Sequence, residues 1–155
     1  MHLYFMLNIL TLPKNELILR HKSKKFKSDL INSTEYQKFF DQLGQTMFEA
    51  DGVGLASPQV NKLIRVIAIN INQTPYIMIN PQIIKKSWSK NIMEEGCLSI
   101  PNVYGKVKRH KKIKVKYLDR LNHTHKTTFK NFTARVIQHE VDHLDGILFI
   151  DKLVK

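Results

Sequence analysis

Within INSTEYQKFFDQLGQTMFEADGVG (31–54) the apolar side chains Phe39, Phe40, Leu43, Met47 and Phe48 return at intervals of three and four. That spacing lines one face of a helix, so the segment predicts one whose apolar stripe is core. Asn32 followed by Glu35 predicts a capping box at its start. Gly52 and Gly54 close the helix and open a loop through GVGLASPQV (52–60). LIRVIAINI (63–71) and YIMINP (76–81) read as strands. IKVKYLD (113–119) alternates strictly, with Ile113, Val115 and Tyr117 on one face and Lys114, Lys116 and Leu118 on the other. This predicts a strand with one wet face. A turn through Asn122 leads to HKTTFKNF (125–132), its partner strand. FTARVIQHEVDHLDG (132–146) predicts a last helix, ended by Gly146. After a mostly irregular start, the order is that of an α+β fold. Mostly antiparallel strands surround the C-terminal helix, and the helix of the N-terminal half packs outside.

Composition narrows the class. A chain of 155 residues, 43% hydrophobic and 25% charged, predicts one globular domain over residues 1–155 with a single core. The net charge of +12 has two readings: a drift in composition that leaves a solvated basic surface, or affinity for RNA or the ribosome. The cations gather in HKSKKFK (21–27), in KVKRHKKIKVK (106–116) and in the tail, with no RNP-like aromatic motif beside them. Cys97 is the one cysteine, so no internal disulfide forms and a reducing compartment fits. MHLYFMLNILTLP is apolar, but without a basic n-region or a small-residue cleavage site it predicts no signal peptide. Met6 is an alternative start. No stretch has the roughly 18 apolar residues of a membrane helix, so no membrane partner is expected.

Candidate chemistry lies on the last helix. Placed on a helix, Phe132, Val136, His139, Glu140 and His143 share a face. His139 and His143 stand one turn apart and can hold one ion. Glu140 projects beside that ion, where it can take a proton from bound water. Two surface histidines would explain the string equally well, except that it falls beside Val136, Ile137 and Leu144. Burying two histidines and a glutamate there is costly unless they are paired or metal-bound. A third ligand is missing downstream. Phe149 stands three residues past Gly146, where one metalloprotease pattern has a histidine, and no further helix follows to bring a glutamate. Cys97, His110, His123, His125, Glu94 and Glu95 are the upstream candidates. Cys97 is the strongest, since Gly96 lets the backbone turn beside it and Pro101 soon ends regular pairing. A His₂Cys set that leaves a fourth position for water suits Zn²⁺ or Fe²⁺.

GVGLASPQ (52–59), EGCLS (95–99) and QHEVDHLDG (138–146) stand in that order. Together they resemble the peptide deformylase family, with its Gly-x-Gly-apolar-Ala-Ala-x-Gln loop, Glu-Gly-Cys-Leu-Ser segment and Gln-His-Glu-x-Asp-His-Leu-x-Gly helix. The resemblance runs from about Leu10 onward. It implies hydrolysis of the formyl group from N-formyl-methionyl nascent peptides, with release of formate, in a bacterial-type cytoplasm or an organelle. It implies one divalent metal, Fe²⁺ as the native ion with Zn²⁺, Ni²⁺ or Co²⁺ able to replace it, bound by Cys97, His139 and His143. Glu140 would be general base and then proton donor to the leaving amine. The Gln59 side-chain amide and the Leu98 backbone N–H would stabilise the oxyanion. Glu95 would anchor structure near the site, with Arg109 as its basic partner, and Gln138 and Asp142 would orient the ligand helix. Val53, Leu98, Phe132 and Val136 would frame the methionine side chain, with the substrate backbone paired to Val53–Gly54.

Three departures stand out. Ser57 replaces the family's commoner Ala, adding a hydroxyl near the site. Asn102 and Tyr104 stand where many members have Gly and Arg, which puts substrate contacts beyond the first residue in question. Some members continue into a C-terminal helix that docks on the ribosome; with Lys155 as the last residue, any ribosome contact is expected through the basic surface. A monomer is expected. Two rival readings keep parts of the site: a small metallopeptidase, and a basic RNA-binding module around a structural metal. Structural zinc sites normally have four protein ligands, whereas three and a poised Glu140 are seen here.

Overall fold

The structure is a computed structural model and describes residues 5–155. The apolar N-terminal stretch thus begins outside the described residues. The elements in chain order are α1 (Glu16–Leu19), α2 (Thr34–Glu49), β1 (Gly54–Ala56), β2 (Val66–Ile71), β3 (Thr74–Lys86), β4 (Lys90–Cys97), β5 (Ile100–His110), β6 (Lys112–Leu118), β7 (Thr124–Lys130) and α3 (Asn131–Leu144). Short 3-10 turns cover Ser28–Leu30, Ser57–Val60 and Phe149–Lys152. Five strands form an antiparallel sheet in the order β1-β2-β3-β6-β7, and β4 and β5 form a separate two-stranded sheet. The α+β architecture inferred from the sequence is the one observed.

Strand β2 explains how the layers assemble. Side chains alternate across a strand. Val66 and Ala68 therefore face the cluster built on Phe39, Phe40, Leu43 and Met47 of α2. Ile67 and Ile69 face the opposite cluster, with Ala134, Ile137, Val141 and Leu144 of α3. The two long helices thus cover opposite faces of the large sheet. A third cluster, with Leu10, Leu19, Ile100, Val107, Leu148 and Phe149, joins the N-terminal segment and the C-terminal turn to β5.

Helix α3 is buried nearly all round, because it lies between the large sheet and the β4–β5 hairpin. Ile137 and Val141 pack on the sheet, while Arg135, Gln138, His139 and Asp142 reach toward the hairpin. Its C-terminus closes as a Schellman motif, with Gly146 N–H donating to His143 O (3.1 Å) and Ile147 N–H to Asp142 O (2.9 Å). Gly146 has φ +73°, and a Cβ there would strike the Arg20 carbonyl, so both backbone and space require glycine.

Several sequence expectations shift. The cap of α2 is Ser33, whose Oγ accepts from Tyr36 N–H at 3.3 Å, not Asn32. The stretch read as a loop after Gly52 contains β1, a three-residue edge strand. The basic run 106–116 is the end of β5, a tight turn and most of β6. Pro101 does break pairing. Glu95 pairs with Gly105 and Cys97 with Ile100, so Pro101–Tyr104 bulge outward opposite Gly96. Asn102 takes φ +61° in that bulge.

Phe40 is 1% exposed, between α2 and the sheet. Phe40→Ala is expected to cost about 3–5 kcal/mol, and Leu121→Ala, at a position 65% exposed, less than about 0.5 kcal/mol. Urea unfolding followed by circular dichroism checks both values, and equal costs would contradict this placement of the core.

Candidate active site

The β4–β5 hairpin turns on two residues, Leu98 and Ser99, which leaves Cys97 at the end of β4. Helix α3 brings His139 and His143 to the same point. The donor atoms of Cys97, His139 and His143 lie within 4.8 Å of one another, and Cys97 Sγ is 3.2 Å from His143 Nε2. Of the upstream candidates, the fold thus brings Cys97 to the two histidines. His110 is bound to Ser87 O (2.5 Å), and His123 and His125 lie at Asp119. Glu94 is exposed on the cavity rim.

Glu95 ties the site together. Its Oε2 accepts from His139 Nδ1 at 3.0 Å, which leaves Nε2 as the free ring nitrogen. Arg109 grips the carboxylate with two bonds, Nε to Oε1 (2.6 Å) and Nη2 to Oε2 (2.9 Å). Arg135 adds a third, Nη1 to Oε1 at 2.6 Å, and also donates to Val107 O, Asn91 O and Asn91 Oδ1. Burial would raise the pKa of Glu95, but the bonds from His139 and Arg109 outweigh it and hold the carboxyl well below its ordinary range. Arg109 also binds Asp142 Oδ2 (2.7 Å), whose other oxygen takes Lys152 Nζ (2.7 Å). Gln138 bridges α3 to β5, accepting from His110 N–H and donating to His110 O. Gln138 and Asp142 therefore fix the helix rather than touch the histidine rings.

Arg135 escaped the sequence reading although it stands one turn before His139. A charged residue between Ala134 and Val136 on a buried helix was the signal that could have found it, since such a charge requires a partner. Ser99 was part of the EGCLS segment but was given no role. Its Oγ accepts from Gln59 Nε2 at 3.1 Å, and the same nitrogen lies 3.5 Å from Cys97 Sγ. Gln59 Oε1 accepts from Ala56 N–H (2.8 Å), which orients the amide with its N–H groups toward the cysteine.

Glu140 is 4% exposed, and its Oε2 has no hydrogen-bond partner. Burial pushes its pKa up to about 7, against the pull of His139 and Arg109. A Cβ on Gly54 would collide with this carboxylate, so glycine is needed for β1 to pass so close. His143 Nδ1 is likewise buried and unpartnered. Burial, together with the positive charges of His139 and Arg109, holds His143 neutral. At His139 burial acts the same way, yet Cys97 and Glu95 raise its pKa to about 10. Three ligand atoms converge beside a buried carboxylate oxygen and an imidazole nitrogen that have no partner, an arrangement a divalent cation would suit. A soft sulfur, a neutral imidazole and a second imidazole steadied by a carboxylate form a donor set that fits such an ion.

The cluster opens into a cavity of about 580 Å³. Val53 and Gly54 form one wall, and Phe132 and Val136 of α3 the floor. Leu98, packed against Gly52 on the Val53 side, and the bulge Pro101–Tyr104 complete the lining. Val136 is buried, whereas Val53 and Phe132 present half-exposed side chains. Tyr104 is 67% exposed and its ring lies over Gly96. Ser57 donates its hydroxyl to Ile64 O, so the added group is spent on the fold and not offered to the cavity.

A histidine pair and a buried carboxylate on one helix, met by a cysteine under an open cavity, define a hydrolase of the metal-dependent kind. The family model described as polypeptide deformylase matches residues 6–155. A peptide deformylase of Pseudothermotoga lettingae is 42% identical over 134 residues, covering 86% of this chain and 76% of that protein. Among solved structures, peptide deformylase from Thermotoga maritima superposes with a TM-score of 0.90 at 34% identity, over 97% of this chain and 99% of the other. The Met-Ala-Ser-bound class I type b peptide deformylase from Acinetobacter baumannii gives 0.91 at 34% identity, over 97% and 100%. The chain belongs to the peptide deformylase family. It is a hydrolase that removes the N-terminal formyl group from nascent peptides.

Glu95→Gln removes the charge that three buried cationic groups share. It is expected to cost about 3–5 kcal/mol of stability, measured by urea unfolding, and to speed reaction of the Cys97 thiol with a thiol reagent. A cost under about 1 kcal/mol with unchanged thiol reactivity would show that the hairpin is held by other means.

Proposed function

We propose that Cys97, His139 and His143 hold one divalent ion, Fe²⁺ in the cell and Zn²⁺, Ni²⁺ or Co²⁺ on replacement, and that Glu140 is the proton carrier of the reaction. The observation that carries this reading is the three-donor cluster beside a buried carboxylate oxygen with no partner. An ion held by these three residues would supply Lewis acidity, polarising the formyl oxygen and lowering the pKa of a bound water toward neutrality. Glu140 takes a proton from the attacking water and delivers it to the departing amine. A carboxyl with a pKa near neutrality suits both tasks. The Gln59 amide and the Leu98 N–H donate to the formyl oxygen as it gains charge, each contributing about 3 kcal/mol. Cys97 is a ligand and not a nucleophile, so no covalent intermediate forms on the protein. Glu95, Arg109, Gln138 and Asp142 hold the ligand-bearing elements in register.

The substrate enters as an extended strand beside β1. Val53 O accepts from Asn70 N–H at 2.9 Å. Alternation then turns the N–H and C=O of Gly54 away from β2, toward the cavity. A peptide paired there adds a strand to the sheet edge. Its methionine side chain packs among Val53, Leu98, Phe132 and Val136, and the small formyl group passes where acetyl is excluded by size. The Met-Ala-Ser-bound relative from Acinetobacter baumannii supports a peptide ligand for this chain. Residues 1–155 act as one catalytic domain and as a monomer in a bacterial-type cytoplasm. Ribosome contact uses the basic surface.

Formate release from N-formyl-Met-Ala-Ser tests the reading, with anaerobic protein loaded separately with Fe²⁺, Ni²⁺ or Zn²⁺. Glu140→Ala is expected to keep its metal and lose about 10²–10⁴-fold in rate, and Cys97→Ser to lose metal. Full retention of metal and rate by Cys97→Ser would remove it from the ligand set. Cleavage of unformylated peptides without deformylation would favour the metallopeptidase reading.

A further inference from the structure

Charge is strongly segregated in this molecule. Between Gly96 and His139 the sequence carries eleven Lys and Arg and a single acid, Asp119, which is engaged by His123 and His125. Strands β6 and β7 and the end of β3 turn their apolar residues inward and their lysines outward. Lys85, Lys112, Lys114, Lys116, Lys126 and Lys130 are all exposed. The register sets them directly opposite one another: Lys85 faces Lys114, Lys112 faces Lys130, and Lys116 faces Lys126. Like charges in opposed positions destabilise a sheet. Among the described residues no carboxylate comes within ion-pair distance of any of these six; the lysine that has such a partner is Lys152, at Asp142.

Trp88 lies in the loop after β3, at the end of the sheet where Lys112 pairs with Lys130. It is the sole tryptophan and is 100% exposed. The loop that carries it is pinned to the β5–β6 turn: Ser87 N–H donates to Lys112 O (2.8 Å) and Lys111 N–H to Ser89 O (2.9 Å). His110 Nδ1 reaches Ser87 O as well. Around the indole, Lys86, Lys90 and Lys108 border a hollow of about 630 Å³. A fully exposed indole on an anchored loop, ringed by ammonium groups, offers a stacking platform beside phosphate contacts.

We propose that the outer face of β3, β6 and β7, together with the exposed Trp88 loop at the end of the sheet, binds RNA. Lysines at alternate strand positions, about 6.8 Å apart, meet successive phosphates, and the Trp88 ring stacks on an unpaired base. The surface is a sheet with one aromatic at its edge, not an amphipathic helix with an apolar face, which favours a stacked base over a lipid surface. It is separate from the catalytic cavity, so action on free peptides does not depend on it.

The sole tryptophan makes the test direct. Full-length protein is titrated with a single-stranded RNA oligonucleotide while Trp88 emission is followed, in a series of salt concentrations. Quenching is expected, with affinity falling steeply as salt rises. Lys114→Glu/Lys116→Glu/Lys126→Glu, and the milder triple change to Gln, should weaken binding of a dye-labelled RNA at least about tenfold. They should also flatten the log–log salt slope by about 0.7 for every phosphate left without its lysine. Trp88→Ala should weaken binding about tenfold. All of these variants should release formate from a free formyl-methionyl peptide at the wild-type rate. The control triple Lys25→Glu/Lys27→Glu/Lys38→Glu has the same net charge as the first and should bind nearly as wild type. Unquenched Trp88, equal weakening in the test and control triples, or a blue shift with phosphatidylserine vesicles without any response to RNA would each overturn the proposal.

Discussion

The candidate site depends on one buried carboxylate. Glu95 sits where β4, β5 and α3 converge, and it is bonded to Arg109 from β5 and to Arg135 and His139 from α3. Burying these charges is expensive, and the arrangement is stable only because every carboxylate lone pair finds a donor. Geometry follows from that. Cys97 lies two residues beyond Glu95 on the same strand, and His139 is bonded to Glu95 itself. The carboxylate therefore sets the separation between the cysteine and the histidine pair, and it chooses which nitrogen of His139 is free.

The rest of the fold serves this contact from two sides. The large sheet supports α3 through Ile137, Val141 and Leu144, while the opposite flank of the helix carries the polar residues that hold the hairpin. One helix thus has an apolar side for the sheet and a polar side for β4 and β5. Irregular features shape the cavity between them. The edge strand β1 passes Glu140 at Gly54, and the bulge opposite Gly96 swings Pro101–Tyr104 out to form the far wall. Substrate contact and ligand placement are thereby separated: the walls can change while the glutamate-centred network stays.

How much of this was legible depended on periodicity. Helices α2 and α3 and strands β6 and β7 carry clear 3.6- or 2-residue patterns, and β2 is a short continuous apolar run buried on both faces, so all were readable. The β4–β5 hairpin was not, because Ile92 and Met93 are adjacent and exposed, and Pro101 and Gly105 interrupt what would otherwise alternate. Strand β1 hid in a glycine-rich stretch whose pairing with β2 depends on residues eleven to fifteen positions away. The histidine pair, Glu140 and Cys97 could be picked out because their residue types are costly to bury without a task. The partnership of Glu95 with Arg109 was expected, but the part played by Arg135 was not. Its role comes from hairpin residues some forty positions upstream, which local pattern does not bring near. Ser57 looked like a change in the site and proved to be a hydrogen bond to Ile64 within the fold.

Function at this site requires the hairpin to deliver one sulfur to two imidazoles. X-ray absorption at the metal edge of the zinc-loaded protein tests this most directly. One sulfur near 2.3 Å and two imidazole nitrogens near 2.0–2.1 Å, roughly the usual zinc distances, with a light-atom ligand completing the shell, is the predicted result. A first shell without sulfur, or with nitrogen and oxygen ligands alone, would contradict it.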